Sequence, residues 1–268
     1  MRALKILYLN LSFYAAFLAV SGLVIPAMTA GVILISALRG KRVLMRNFRN
    51  AIIVYGKVVT RLGYPLVTFE FQNRTGIDDL AKGGPYLFIC NHRSSSDPFL
   101  VSVLPVNCEL VQVVNQWPFR LPVLGFFATL AGYLNVNAMP FERFRDDCMK
   151  LLAERVSIVF FPEGTRSGGT HMNQFHSSAF KLFLEGSTPI IPMCISGNED
   201  MPHKGTLKLL PGRVRIRLLP PLMPADFGPE ANAYKVKTAV RAMIERELGD
   251  LDAMGRDGAH AELHEAAR

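Results

Sequence analysis

The chain has 268 residues, of which half are apolar and only 19% charged, with a mean hydropathy of +0.21. This composition excludes intrinsic disorder and suits one large domain with an appendage that contacts lipid. Nine of the 30 Lys and Arg residues, but none of the 22 Asp and Glu residues, fall within residues 1–69. Because the remainder is nearly neutral, the charge argues against a nucleic-acid groove and indicates contact with an anionic membrane.

Residues 1–38 form the first predicted element and contain an uncharged run from Ile6 to Leu38. The run is longer than the about 20 residues of one spanning helix and shorter than the about 40 of two. Gly22 and Pro26 interrupt it and basic residues flank both ends, so we expect a membrane-embedded helical hairpin that dips into one leaflet. A cleaved signal peptide is the alternative, but the run is too long for one.

Residues 39–64 are predicted to form a basic amphipathic helix that lies at the membrane interface. Its apolar side carries six residues and its opposite side five basic ones: Leu44, Phe48, Ile52, Tyr55, Val59 and Leu62, and Arg42, Arg46, Arg49, Lys57 and Arg61. The same pattern fits a surface helix that covers the core, and the two interpretations are compatible.

From residue 65 to residue 268, short apolar runs alternate with helical periodicity, which predicts an α/β domain whose sheet is covered on both faces. The predicted strands are 66–72, 86–90, 110–115, 132–136, 156–161, 189–195 and 213–219. The predicted helices are 97–104, 118–130, 141–155, 174–186 and 230–248. We expect residues from 252 onward to form a mobile tail.

Neither a metal nor another cofactor is implied by the sequence. The four cysteines lie far apart without a Cys-x-x-Cys pair, which argues against a zinc site and a disulfide scaffold. His260 and His264 do not match the His-Glu-x-x-His zinc pattern, and they fall in the expected tail.

The predicted strand at 86–90 runs directly into a polar, serine-rich turn that contains His92 and Asp97. Strand ends of this kind are where α/β proteins place reactive groups. A carboxylate on one imidazole nitrogen fixes the tautomer that lets the other nitrogen accept a proton from an alcohol. Simple helix capping, with Ser96 as the cap and Asp97 in the first turn, is the alternative.

A second polar island follows the predicted strand at 156–161 and contains Glu163, Gly164, Thr165 and Arg166. Glycine allows a ligand to approach the backbone, and the arginine guanidinium suits bidentate binding of phosphate. A tight turn with a surface ion pair is the alternative for this island alone.

The two islands together resemble the motifs of the glycerolipid acyltransferases, a family typified by the bacterial 1-acylglycerol-3-phosphate acyltransferases. The residues that carry the resemblance are Asn-His-x-x-x-x-Asp at 91–97, Phe-Pro-Glu-Gly-Thr-Arg-Ser at 161–167 and Pro-Ile-Ile-Pro at 189–192. The resemblance covers residues 65–220 and implies a mixed sheet flanked by helices.

By this resemblance the protein is a membrane-associated enzyme of phospholipid synthesis. It implies that His92 is the general base, that Asp97 is its partner, and that Glu163, Gly164, Thr165 and Arg166 hold the phosphate-bearing head of the acceptor. It also implies transfer of a fatty acyl chain from acyl carrier protein or coenzyme A to a lysolipid, with 1-acylglycerol-3-phosphate as the first choice. The expected place is the cytoplasmic side of the inner membrane.

One departure from the family pattern concerns the acceptor. The family's second motif commonly ends its strand with an arginine that contacts the acceptor phosphate, whereas this chain has Asn137. Either Arg143 or Arg145 substitutes from the next turn, or the acceptor is another lysolipid, such as a lyso-ornithine lipid. A lipid esterase that uses the same histidine and aspartate to activate water is a further alternative, although the chain lacks a Gly-x-Ser-x-Gly elbow.

Overall fold

The computed structural model describes residues 2–36, 38–104, 108–120 and 122–265. The side chains of 256–265, which include His260 and His264, lie outside the described part of the chain, as does the end of the expected tail at 266–268. The seven predicted strands are confirmed to within two residues at each end. They are β1 (Val67–Asn73), β2 (Leu87–Cys90), β3 (Leu110–Val114), β4 (Leu134–Asn135), β5 (Ser157–Phe160), β6 (Ile190–Ser196) and β7 (Gly212–Leu218).

The strands form one mixed sheet in the order β1-β7-β6-β2-β5-β3-β4. Every neighbouring pair is parallel except β6 and β7, which are antiparallel. The central strand β2 therefore lies between β6 and β5 with all three running the same way. Because the carboxyl ends of parallel strands meet at one edge, the segments that follow β2, β5 and β6 converge there.

The helices of the described residues cover both faces of this sheet. They are α1 (Arg2–Ser36), α2 (Lys41–Arg61), α3 (Leu80–Gly83), α4 (Asp97–Leu100), α5 (Gln116–Phe119), α6 (Pro122–Leu130), α7 (Phe141–Ala153), α8 (Ser178–Glu185) and α9 (Ala233–Glu265). Alternate residues of β2 point to opposite faces, so Leu87 and Ile89 join the core under α7, α8 and α9, while Phe88 and Cys90 join the core next to α4. All four β2 residues are fully buried, as their continuous apolar run predicts.

Residues 2–36 differ from the expected bent pair of helices. Residues Arg2–Ser36 form one helix that continues through Pro26, because a proline removes a single backbone donor and a long apolar helix tolerates that loss. The hairpin is formed instead by α1 and α2, which pair through a hydrogen bond of 2.7 Å between the hydroxyls of Ser21 and Tyr55. Asn47 also donates to the Ser36 hydroxyl at 3.0 Å.

Helix α2 confirms the predicted apolar stripe but corrects part of its basic side. Phe48 is fully buried, as expected. Arg49 was placed with the basic residues, but its side chain is only 3% exposed and forms an ion pair with Glu109. It also donates to the carbonyl oxygen of Ala131 at 2.7 Å, so this arginine joins α2 to the α/β domain.

Helix α9 continues well beyond the expected end at residue 248. Leu251 is fully buried, and the next residue, Asp252, accepts two hydrogen bonds of 2.8 Å from Arg93. The chain at residue 252 is therefore packed helix, which corrects the expected start of a mobile tail there.

Candidate active site

The two polar islands meet at the carboxyl edge of the sheet, because β2 and β5 are adjacent and parallel. The backbone N–H of Ser167 donates to the carbonyl oxygen of His92 at 2.8 Å, and that of Gly168 donates to the carbonyl of Arg93 at 3.2 Å. In the other direction, the backbone N–H of His92 donates to Glu163 Oε1 at 2.6 Å. The two turns are thus hydrogen-bonded to each other residue by residue.

His92 and Asp97 form the predicted pair. Nδ1 of His92 lies 2.7 Å from Oδ2 of Asp97, and the aspartate side chain is fully buried. A carboxylate accepts hydrogen bonds, so this contact suits the tautomer with the proton on Nδ1, which leaves the Nε2 lone pair available. The imidazole packs on the Phe161 ring with centroids 4.8 Å apart and remains 18% exposed. The imidazole ring is thus held in one orientation and stays partly exposed.

Asp97 is held by more than His92. Its Oδ2 also accepts the backbone N–H of Ser94 at 2.9 Å, and its Oδ1 accepts a hydrogen bond from the side-chain amide of Asn198. Asn198 is fully buried and follows β6, the strand next to β2. The sequence motifs do not include this residue, because its contact with Asp97 depends on β6 lying next to β2, which only the sheet order shows.

Both carboxylate oxygens of Glu163 accept hydrogen bonds from the protein backbone. Its side chain is buried, with Oε1 accepting from His92 N and Oε2 from Asn173 N at 2.7 Å. Burial raises the pKa of this carboxyl, and the two backbone donors offset part of that rise. The two hydrogen bonds make Glu163 a brace between the two turns, and its part in holding the acceptor's head stays a prediction.

Gly164, Thr165 and Arg166 form the outer part of the second island. Gly164 and Thr165 are exposed and Arg166 is half-buried. Gly164 has φ +69°, and a Cβ there would lie 2.9 Å from Nε2 of His176, so a side chain does not fit. These three residues present a cation and a hydroxyl beside the turn that contains His92, as a phosphate-binding role requires.

Arg93 connects the site to the far end of the chain, which the sequence patterns did not predict. It is fully buried and binds both carboxylate oxygens of Asp252 in α9, the carboxylate of Glu199, and the carbonyl oxygen of Thr170 at 3.0 Å. Asp252 in turn accepts a hydrogen bond of 2.5 Å from Ser196 at the end of β6. This network fixes the residue next to His92.

The end of β4 carries no charge at the position where the family has arginine. The Asn137 side chain donates to Asn115 Oδ1 at 2.6 Å. Arg145, one of the two proposed substitutes, is bound to Asp146 at 2.9 Å and lies 3.8 Å from Glu185, so its charge is already neutralised. Arg143, the other, is exposed on α7.

Comparison with known proteins agrees with this geometry. Residues 72–196 match the family model described as Acyltransferase. The chain is 28% identical over 224 residues to a 1-acyl-sn-glycerol-3-phosphate acyltransferase of Limnanthes alba, covering 81% of this chain and 76% of that protein. It is 26% identical over 205 residues to a protein of the same name from Salmonella typhimurium, covering 75% of this chain and 81% of that protein.

The fold has a counterpart among solved structures. The crystal structure of the 1-acyl-sn-glycerophosphate acyltransferase from Thermotoga maritima superposes with a TM-score of 0.73, covering 94% of this chain and 98% of that one at 22% identity. This likeness establishes the mixed α/β fold with its paired N-terminal helices. By sequence, residues 72–196 of the chain are similar to the family described as Acyltransferase.

Proposed function

We propose that the protein is a membrane-associated O-acyltransferase that moves a fatty acyl chain from an acyl thioester to the free hydroxyl of 1-acylglycerol-3-phosphate. The observation that carries the proposal is the bond between His92 and buried Asp97, whose turn is hydrogen-bonded to the turn that carries Arg166. The names of the relatives support this choice of acceptor.

The reaction follows from the tautomer of His92. Nε2 takes the proton of the lysolipid hydroxyl as its oxygen attacks the thioester carbonyl, while Asp97 stabilises the imidazolium that forms. The tetrahedral intermediate then collapses with loss of the thiolate, which takes the proton back from the imidazolium. The ester and the free thiol leave, and the enzyme returns to its starting state without a covalent intermediate.

The membrane location rests on α1. It is the one helix of the described residues that is long and apolar enough to cross a membrane, by length and composition. Many of its large apolar side chains are exposed, among them Leu4, Leu7, Leu11, Leu18, Leu23 and Leu34. The basic residues of the first 69 positions suit anionic lipid, and we place the α/β domain on the cytoplasmic side of the inner membrane.

The test is acyl transfer by the purified full chain. It is incubated with labelled acyl-coenzyme A or acyl carrier protein, with and without a panel of lysolipids. Product formed only with 1-acylglycerol-3-phosphate supports the proposal, and the two donors show which carrier is used. Transfer only to a lysolipid without a phosphomonoester would overturn the acceptor, and release of free fatty acid without any acceptor would show an esterase.

A further inference from the structure

A lysine from the segment between β6 and β7 lies on the turn that carries Arg166. Nζ of Lys204 donates to the carbonyl oxygen of Arg166 at 3.0 Å and lies 3.5 Å from that of Ser167. Lys204 is exposed. Because an ammonium group has three N–H donors and two point at the backbone, one donor stays available to a ligand.

The aliphatic part of the Lys204 side chain packs against Gly168. A Cβ on Gly168 would lie 2.5 Å from Cδ of Lys204, and Gly168 has φ +75°, so both the space and the backbone conformation require glycine there. The turn below the lysine is itself hydrogen-bonded to His92 and Arg93 through Ser167 and Gly168. The lysine therefore lies on a turn whose position is fixed relative to the base.

Arg166 and Lys204 place two cations on one turn. Among the described residues, neither forms an ion pair with a carboxylate. A phosphate dianion near this turn would be attracted by two positive charges rather than one. Arginine supplies a fork and lysine a point charge, a combination that suits a phosphomonoester.

We propose that Lys204 is a second phosphate-binding cation for the acceptor headgroup and compensates for the uncharged strand end at Asn137. This inference rests on the proposed function, because it assumes an acceptor that bears a phosphate. The segment between β6 and β7 then contacts the site twice. Asn198 donates to the Asp97 carboxylate, and Lys204 donates to the turn that carries Arg166. Lys204 would determine acceptor specificity without taking part in proton transfer.

The test compares Lys204→Met, which keeps most of the stem and removes the charge, with Lys204→Arg and with Lys208→Met, a matched exposed lysine of the same segment. For a partly solvated contact between a lysine and a phosphate, we expect Lys204→Met to raise the KM for 1-acylglycerol-3-phosphate about tenfold. The kcat and the KM for the thioester should stay within about twofold, since neither depends on the headgroup. Lys204→Arg and Lys208→Met should behave as the wild type.

Phosphates of coenzyme A are the other source of this ligand chemistry, so both Michaelis constants are measured. If Lys204→Met raises only the KM for the thioester, the headgroup assignment is wrong. It is also wrong if Lys204→Met has normal thermal stability and an unchanged KM for the lysolipid. The proposed function would survive either result. A wild-type enzyme that acylates only neutral lysolipids would instead refute the proposed acceptor, and this inference with it. Lys204→Gln repeats the comparison if methionine destabilises the segment.

Discussion

Replacing Glu163 with glutamine tests whether the two turns of the site are braced by one carboxylate. The two oxygens of Glu163 accept the backbone N–H groups of His92 and Asn173 at 2.6 and 2.7 Å. Glutamine has one oxygen acceptor, and its amide nitrogen cannot accept, so one buried N–H loses its partner. Leaving such a donor unsatisfied costs about 1–3 kcal/mol.

We expect Glu163→Gln to lower the free energy of unfolding by that amount in urea or guanidinium titrations. The kcat should fall by about tenfold or more, because a loss of 1.4 kcal/mol in the alignment of His92 already corresponds to a factor of ten. The matched control is Glu245→Gln, which changes an exposed carboxylate paired with Arg241 at 3.0 Å. Its effect should stay below about 0.5 kcal/mol with normal turnover.

The pH dependence of stability provides a second test of the role of Glu163. Because burial raises the folded-state pKa of Glu163 above its ordinary value, the folded chain retains this proton after the unfolded chain has lost it. The part of the stability that is linked to this proton is therefore fully present below the ordinary pKa and declines as the pH rises through the folded pKa. Glu163→Gln should lack this decline. A variant with wild-type stability, turnover and pH dependence would refute the brace.

Further predictions concern the other contacts of the site. Asn198→Ala removes a hydrogen bond to the Asp97 carboxylate and should lower kcat about tenfold in steady-state assays while both Michaelis constants stay unchanged. An increase in KM with an unchanged kcat would contradict the positioning role. Asp252→Ala removes one of the two carboxylates that bind buried Arg93 and should lower the free energy of unfolding by about 3 kcal/mol in denaturant titrations. A loss under about 0.5 kcal/mol would show that Asp252 does not anchor α9.

The strands could be predicted because burial on both faces leaves a direct mark in the sequence. β2 and β5 are short apolar runs between polar turns, and both are fully buried in the sheet. Their carboxyl ends carry the two motifs, which the family resemblance groups together, and the two turns meet because β2 and β5 are parallel neighbours. The long apolar run at the N-terminus was also evident, but whether a proline bends a helix depends on its tertiary contacts, and α1 continues through Pro26.

The remaining features depend on contacts between residues far apart in the chain. The burial of Arg49 depends on Glu109, which lies 60 residues away, and so the helical periodicity of α2 alone placed this arginine on the wrong side. Asp252 looked like part of a solvated tail because its partner Arg93 is 159 residues distant. Local patterns report periodicity and turns, whereas a buried ion pair or an amide bound to the Asp97 carboxylate is visible only once the topology is known.

The central claim is that His92 is the base that activates the acceptor hydroxyl. The most direct measurement is the single-turnover rate of labelled acyl transfer from a thioester to 1-acylglycerol-3-phosphate by His92→Ala, in protein shown by thermal unfolding to be folded. We predict a loss of about 100- to 10,000-fold, the range that general base catalysis contributes. A folded variant that transfers the acyl chain at a near-normal rate would contradict the account.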